Sequence, residues 1–126
     1  MHHPNKLLSE VGFVAIKSGN FDSARTIFIA LQQTEPNNVA GDIGLASIAL
    51  AMGKMDEAVD LLEISSFSGK RNSYEAKKLL LIATMLKGDQ EKAGKIHHIL
   101  ASERADKPSE ERIKEAKEFF ASSTTH

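Results

Sequence analysis

Gly19, Gly53 and Gly88 fall 34 and then 35 residues apart (53 minus 19, 88 minus 53), and Ala24, Ala58 and Ala93 repeat the same steps. A period in this range marks a helix-hairpin repeat, whose single unit cannot bury its apolar face alone. Stacked units share a continuous core and bend into a superhelix with a concave inner surface. The expected fold is therefore all-α, three hairpins in a right-handed superhelix, and its expected business is binding rather than catalysis.

Helical periodicity fills in the units. Leu7, Leu8, Val11, Phe13, Val14, Ala15 and Ile16 surround more than one side of a helix over 6–17, which predicts a helix buried on two faces. Ser18-Gly19-Asn20 stops it, glycine being suited to the left-handed conformation that ends helices. A second helix over 21–33 carries Ala24, Ile27, Phe28 and Leu31 at i, i+3, i+4 and i+7, and Pro36 closes the unit. The second unit reads as helices over 39–52 and 55–64. Its close, Ser65 to Asn72, is rich in turn formers and lacks the proline, which predicts an early helix end, a longer loop and the extra residue of the period there. The third unit reads as helices over 73–86 and 90–103, with Ala93, Ile96 and Leu100 on the inner face of the second.

Beyond it, Pro108-Ser109-Glu110-Glu111 opens a further helix, with proline in the first turn and acids at the positive end of the dipole. Ile113, Ala116, Phe119 and Phe120 lie on its inner face, as a C-terminal cap over the last hairpin requires. The whole is expected to form one domain over 1–126, with repeats at about 5–38, 39–73 and 74–107 and the capping helix at about 108–121.

Composition removes several functions. Sixteen basic and seventeen acidic side chains leave a net charge of −1, so no overall positive field draws nucleic acid or an anionic membrane. Without cysteine there is no disulfide, thiolate nucleophile or thiolate metal site, which fits the cytoplasm. The longest apolar stretch, Leu79 to Leu86, falls far short of the ~20 residues of a membrane-spanning helix. Met1-His2-His3 reads equally as a native start or a tag remnant, and nothing in it resembles a secretory signal. His97 and His98 are adjacent, about 100° apart around a helix, whereas paired helical ligands stand three or four residues apart. No residue pattern marks a metal site, a cofactor, a nucleophile or an acid and base pair. Lys70, Arg71, Lys77 and Lys78 could gather into a basic patch, although the last two fit the solvated flank of a helix better.

Over residues 5–106 the chain resembles the tetratricopeptide repeat family. Leu8, Val11, Gly12, Ala15, Gly19, Ala24, Phe28, Leu31 and Pro36 occupy its signature positions in the first unit, and Leu45, Ala46, Ala49, Gly53, Ala58 and Leu62 do so in the second. The third keeps Leu80, Gly88, Ala93 and Leu100 but has His97 in place of the aromatic. Three repeats and one closing helix are also similar to small bacterial cytosolic chaperones of type III secretion that hold needle subunits. That resemblance implies a chaperone masking an aggregation-prone helical export substrate, together with a small co-chaperone.

In such repeats the first helix of each hairpin lines the concave face. The register then places Ser9, Phe13, Ile16, Ile43, Ser47, Leu50, Lys78, Ile82 and Met85 there, a largely apolar groove suited to an amphipathic helix of a partner. The competing reading is that these side chains fill the inner curve or contact the cap. The basic and amide clamp with which some family members hold a C-terminal carboxylate is missing at Ser9, Phe13 and Gly44. A self-associating scaffold, with the same apolar surface buried in a homodimer, is the alternative to a chaperone.

Overall fold

The computed structural model describes residues 4–105, so the expected capping helix lies outside the described residues. Six helices form three hairpins: α1 Pro4–Lys17 with α2 Phe21–Thr34, α3 Ala40–Ala51 with α4 Met55–Ser66, and α5 Ser73–Lys87 with α6 Gln90–Ala105. Each helix starts and ends within two residues of the position read from periodicity. The period itself is fixed by the turns. Gly19, Gly53 and Gly88 have φ of 78°, 77° and 86°, a left-handed conformation that glycine adopts without a Cβ penalty. After each, the next N–H turns back to the preceding helix, Asn20 to the Ala15 carbonyl, Lys54 to Ala49 and Asp89 to Thr84, at 2.8, 2.8 and 3.0 Å. Asn20 and Asp89 then cap the following helix, accepting from the N–H groups of Ser23 and Lys92.

The extra residue of the second interval sits elsewhere than the sequence indicated. α4 does end early, with 12 residues against 14 in α2, and its loop to α5 is one residue longer than the α2–α3 loop. Together these shorten the interval by one. It is α5, at 15 residues against 12 in α3, that lengthens the period, its three added residues exceeding this loss and the one residue saved where Gly88 follows α5 directly, because an α-helix absorbs added residues without breaking its hydrogen-bond ladder.

The second helix of each hairpin packs against the first helix of the next, and first helices also meet one another, α1 with α3 and α3 with α5. The backbones of the second helices α2, α4 and α6 stay apart, α4 and α6 being bridged only by the Lys92 side chain reaching Glu63. Close first helices and splayed second helices curve the stack, so α1, α3 and α5 form its inner layer. Two clusters fill the layers between. One is built on Ala24, Phe28, Leu31 and Ile48, the other on Val39, Ala46, Val59, Leu62, Ala76, Leu80, Ala83, Ile96 and Leu100.

Phe28 is the keystone of the first cluster. Its ring is wholly buried, and a Cβ added at Gly12 or Gly44 would lie 2.6 or 2.1 Å from it. Two helical glycines, each destabilising its own helix by roughly 0.5–1 kcal/mol relative to alanine, thus make the slot that takes one phenylalanine. At the corresponding position of α4 the residue is Leu62, and Ala46 replaces Gly12. Polar contacts reinforce the joint: Gln32 of α2 donates through Nε2 to Asp42 of α3, whose other oxygen accepts from the Ser65 hydroxyl of α4 at 3.3 Å.

The expectation that α1 is buried on two faces fails. Leu7, Val11 and Val14 are 49%, 49% and 62% exposed and form one stripe at i, i+4 and i+7. They stand one 34-residue step before Gly41, Leu45 and Ile48, the stretch of α3 that packs on α2. Sequence alone shows how apolar a helix is all round, but only the stack decides which side has a neighbour.

Candidate protein-binding groove

The inner layer carries every position assigned to the groove. Ser9, Phe13 and Ile16 come from α1, Ile43, Ser47 and Leu50 from α3, and Lys78, Ile82 and Met85 from α5, and none belongs to the fully buried core. They are unequal in use. Phe13 and Ile16 flank the first cluster, Phe13 meeting Phe28 edge to face with ring centroids 5.0 Å apart, while Ile43 and Leu50 flank the second. These four are half-buried and serve the core with one side while leaving the other accessible. The Ser47 hydroxyl donates to the Ile43 carbonyl at 2.8 Å. Ile82 and Met85 are 51% and 63% exposed.

At one end of the inner layer lies a cavity of about 500 Å³ that includes Ser9 and Phe13. Its other walls are Asn5, Lys6 and Glu10 of α1, Glu35, Asn38 and Ala40 around the α2–α3 loop, and Arg71 and Asn72 before α5. Amides and cations therefore do gather beside Ser9 and Phe13, although not on the helix positions where they were sought. The loops that bring them are tied together. Val39 N–H donates to the Arg71 carbonyl at 3.0 Å and Arg71 N–H to the Asn37 carbonyl at 2.9 Å, a short parallel bridge between successive repeats. Asn72 holds a left-handed φ of 67°, rare outside glycine and tolerated best by asparagine and aspartate. The sequence held a usable signal for this wall, since Asn38 and Asn72 stand 34 residues apart, one period.

Lys6, Glu10, Glu35 and Arg71 form no ion pair among the described residues. Elsewhere charges are matched. Lys77, expected to solvate a helix flank, is instead buried, pairing with Glu103 and lying 5.6 Å from the Phe67 ring centroid. Lys78 pairs with Glu75 at 2.7 Å. The prospective basic patch thus loses both. Lys87 meets Asp56 at 2.6 Å, which holds the Asp56 carboxyl below its usual range and the Lys87 ammonium above its own, and the hydrogen bond to Glu63 raises Lys92. His97 and His98 are both exposed on α6. Among the described residues no three His, Cys, Asp or Glu side chains cluster as metal ligands, and no helix is long and apolar enough to cross a membrane.

A family model for the tetratricopeptide repeat matches residues 15–74, from the end of α1 to the start of α5. The match supports a tetratricopeptide repeat protein. It spans the first hairpin's turn, the Phe28 and Gly44 sides of the first joint and the whole second hairpin. No curated protein and no solved structure gives a match. The repeat suggests a protein–protein interaction module, one that binds proteins or peptides.

Proposed function

We propose that this repeat stack is a chaperone or adaptor that holds an amphipathic helix of a protein partner along its inner layer. The observation that carries the reading is the double duty of Phe13, Ile16, Ile43 and Leu50, apolar side chains anchored in the core and still accessible on the layer formed by α1 and α3. A helix laid there would present apolar anchors at i, i+3, i+4 and i+7, while the cavity beside Ser9 offers its polar flank amides and charges. The likeness of the sequence to bacterial type III secretion chaperones gives the partner its most specific form: a small helical secretion subunit, held in the cytosol with a co-chaperone beside it.

Replacing Phe13 or Leu50 would disturb the clusters they support, so the test uses Ser9→Arg with Ser47→Arg, which blocks the groove without removing a core side chain. The parent chain should retain a small helical protein in stoichiometric amount from its native lysate, and the double variant should lose it while keeping its helical circular dichroism and melting temperature. Equal retention by both chains would refute the groove.

The exposed stripe of Leu7, Val11 and Val14 favours a second reading, a scaffold that self-associates through α1. Sedimentation of the isolated chain separates the two. A monomer at micromolar concentration excludes a stable dimer in that range, and a partner-free dimer displaces the chaperone reading.

A further inference from the structure

The cavity beside Ser9 carries four charges that the fold itself leaves unused. Lys6 and Glu10 stand on its α1 wall, Glu35 and Arg71 on the wall made by the two bridged loops, so each wall holds one acid and one base. Among the described residues none of the four side chains has an ion pair or a hydrogen bond, whereas the ion pairs that do form all involve α5 or α6. Asn38 commits its Oδ1 to Ala40 and Asn72, which holds the loop wall in place.

The α1 wall is charged against its own helix. The helices α2 to α6 each have an acid in the first turn, where the helix dipole is positive: Asp22, Asp42, Asp56, Glu75 and Glu91. In α1 there is none, and Lys6 stands there instead. Lys6 also precedes Glu10 by four residues, the weaker order for a helical ion pair. In α6 the favourable order, Glu91 before Lys95, closes to 3.4 Å. Neither Lys6 nor Glu10 is therefore satisfied within α1, and both line the cavity.

We infer, on the reading that the inner layer holds a partner helix, that this cavity selects a helix carrying one acid and one base a single turn apart beside its apolar anchors. A partner carboxylate set against Lys6 also meets the positive end of α1. A basic side chain one turn on meets Glu10, and Glu35 and Arg71 offer the same two signs from the opposite wall. The spacing matches, because positions i and i+4 of the partner are as far apart as Lys6 and Glu10, about 5–6 Å between Cβ atoms. With acids and bases equal in number, the cavity draws neither a polyanion nor a polycation and discriminates by the arrangement of charge. Phe13 lines the same cavity and packs on Phe28, which joins the charged end to the apolar groove.

The test uses short synthetic helical peptides that share apolar anchors at i, i+3, i+4 and i+7 and differ in one pair of residues at i and i+4: Glu with Lys in either order, two Glu, two Lys or two Gln. Titrated with the unaltered chain at low salt and followed by fluorescence anisotropy, a mixed-charge peptide should bind several-fold tighter than the like-charged and neutral ones. That advantage should shrink as salt is raised. Lys6→Glu with Arg71→Glu changes two exposed side chains outside the packed clusters. The double variant should keep its helical circular dichroism and turn the preference to the peptide with two Lys. Equal affinity across the set, tightest binding of a like-charged peptide by the unaltered chain, or a preference that the double variant retains overturns this inference while the groove reading stands. Binding of no peptide refutes the groove reading, and this inference with it.

Discussion

Asn72 donates through its side-chain Nδ2 to Oδ1 of Asn38 at 2.8 Å, so two residues one repeat apart hold successive repeats together at their loops. The same Asn38 oxygen accepts from the Ala40 N–H at 2.9 Å and so caps the entry to α3. Asn72 meanwhile takes the left-handed turn into α5. One pair of asparagines thus fixes both helix starts and the spacing between them.

Asn72→Ala should be more damaging than Asn72→Gly. Both lose the amide hydrogen bond, but only alanine keeps a Cβ in the left-handed region, which costs roughly 1–2 kcal/mol. Thermal unfolding monitored at 222 nm decides it, and equal melting temperatures would show that the backbone relaxes away from φ 67°.

Gly44→Ala and Gly94→Ala should have opposite signs. At Gly44 the new methyl group collides with the buried Phe28 ring, so a loss of about 1–3 kcal/mol is expected. Gly94 has open space around its would-be Cβ and a helical place in α6, so alanine should add about 0.5–1 kcal/mol. Urea denaturation of the two variants reads both. Matching losses would mean that a neighbour crowds Gly94.

Asp56 and Lys87 link α4 to α5 with a pH-dependent contact. Because the folded Asp56 carboxyl titrates below its unfolded value of 3.8, its contribution is present above that pH and lost as pH falls through the lower folded value. The raised Lys87 contributes fully below its unfolded value of 10.5 and fades as pH rises through the folded one. Both groups are solvent-facing, so the effect is small and screened by salt. Asp56→Asn should lower the melting temperature slightly at pH 7 and by less at pH 3, and a loss that grows on acidification would contradict the assignment.

Leu7→Glu with Val14→Glu should leave the melting temperature within a few degrees of the parent, since both side chains lie on the open face of α1. If α1 mediates self-association, the pair of charges should convert a dimer to a monomer in sedimentation velocity. A large fall in stability would place these residues in the core instead.

The hairpins were legible because each helix announces itself locally. Gly19, Gly53 and Gly88 supply the turns, and Ala24, Phe28 and Leu31, or Ala58, Val59 and Leu62, mark inner faces by spacing alone. The groove was legible only as a set of positions. Its division into half-buried Phe13, Ile16, Ile43 and Leu50 and exposed Ile82 and Met85 depends on whether another first helix follows, and that is a fact of stacking. Lys77 was misread for a related reason: its burial depends on Glu103, 26 residues away, and on the Phe67 ring.

By itself, then, the sequence determined the helices, their turns and the repeat that pairs them, since backbone conformation and apolar periodicity act over a few residues. Tertiary structure alone decided that Leu7, Val11 and Val14 stay exposed, that α5 absorbs the added residue, and that Asn38, Arg71 and Asn72 form a wall beside Ser9 and Phe13. Those outcomes turn on which surfaces meet across residues distant in the chain, and no local pattern records them.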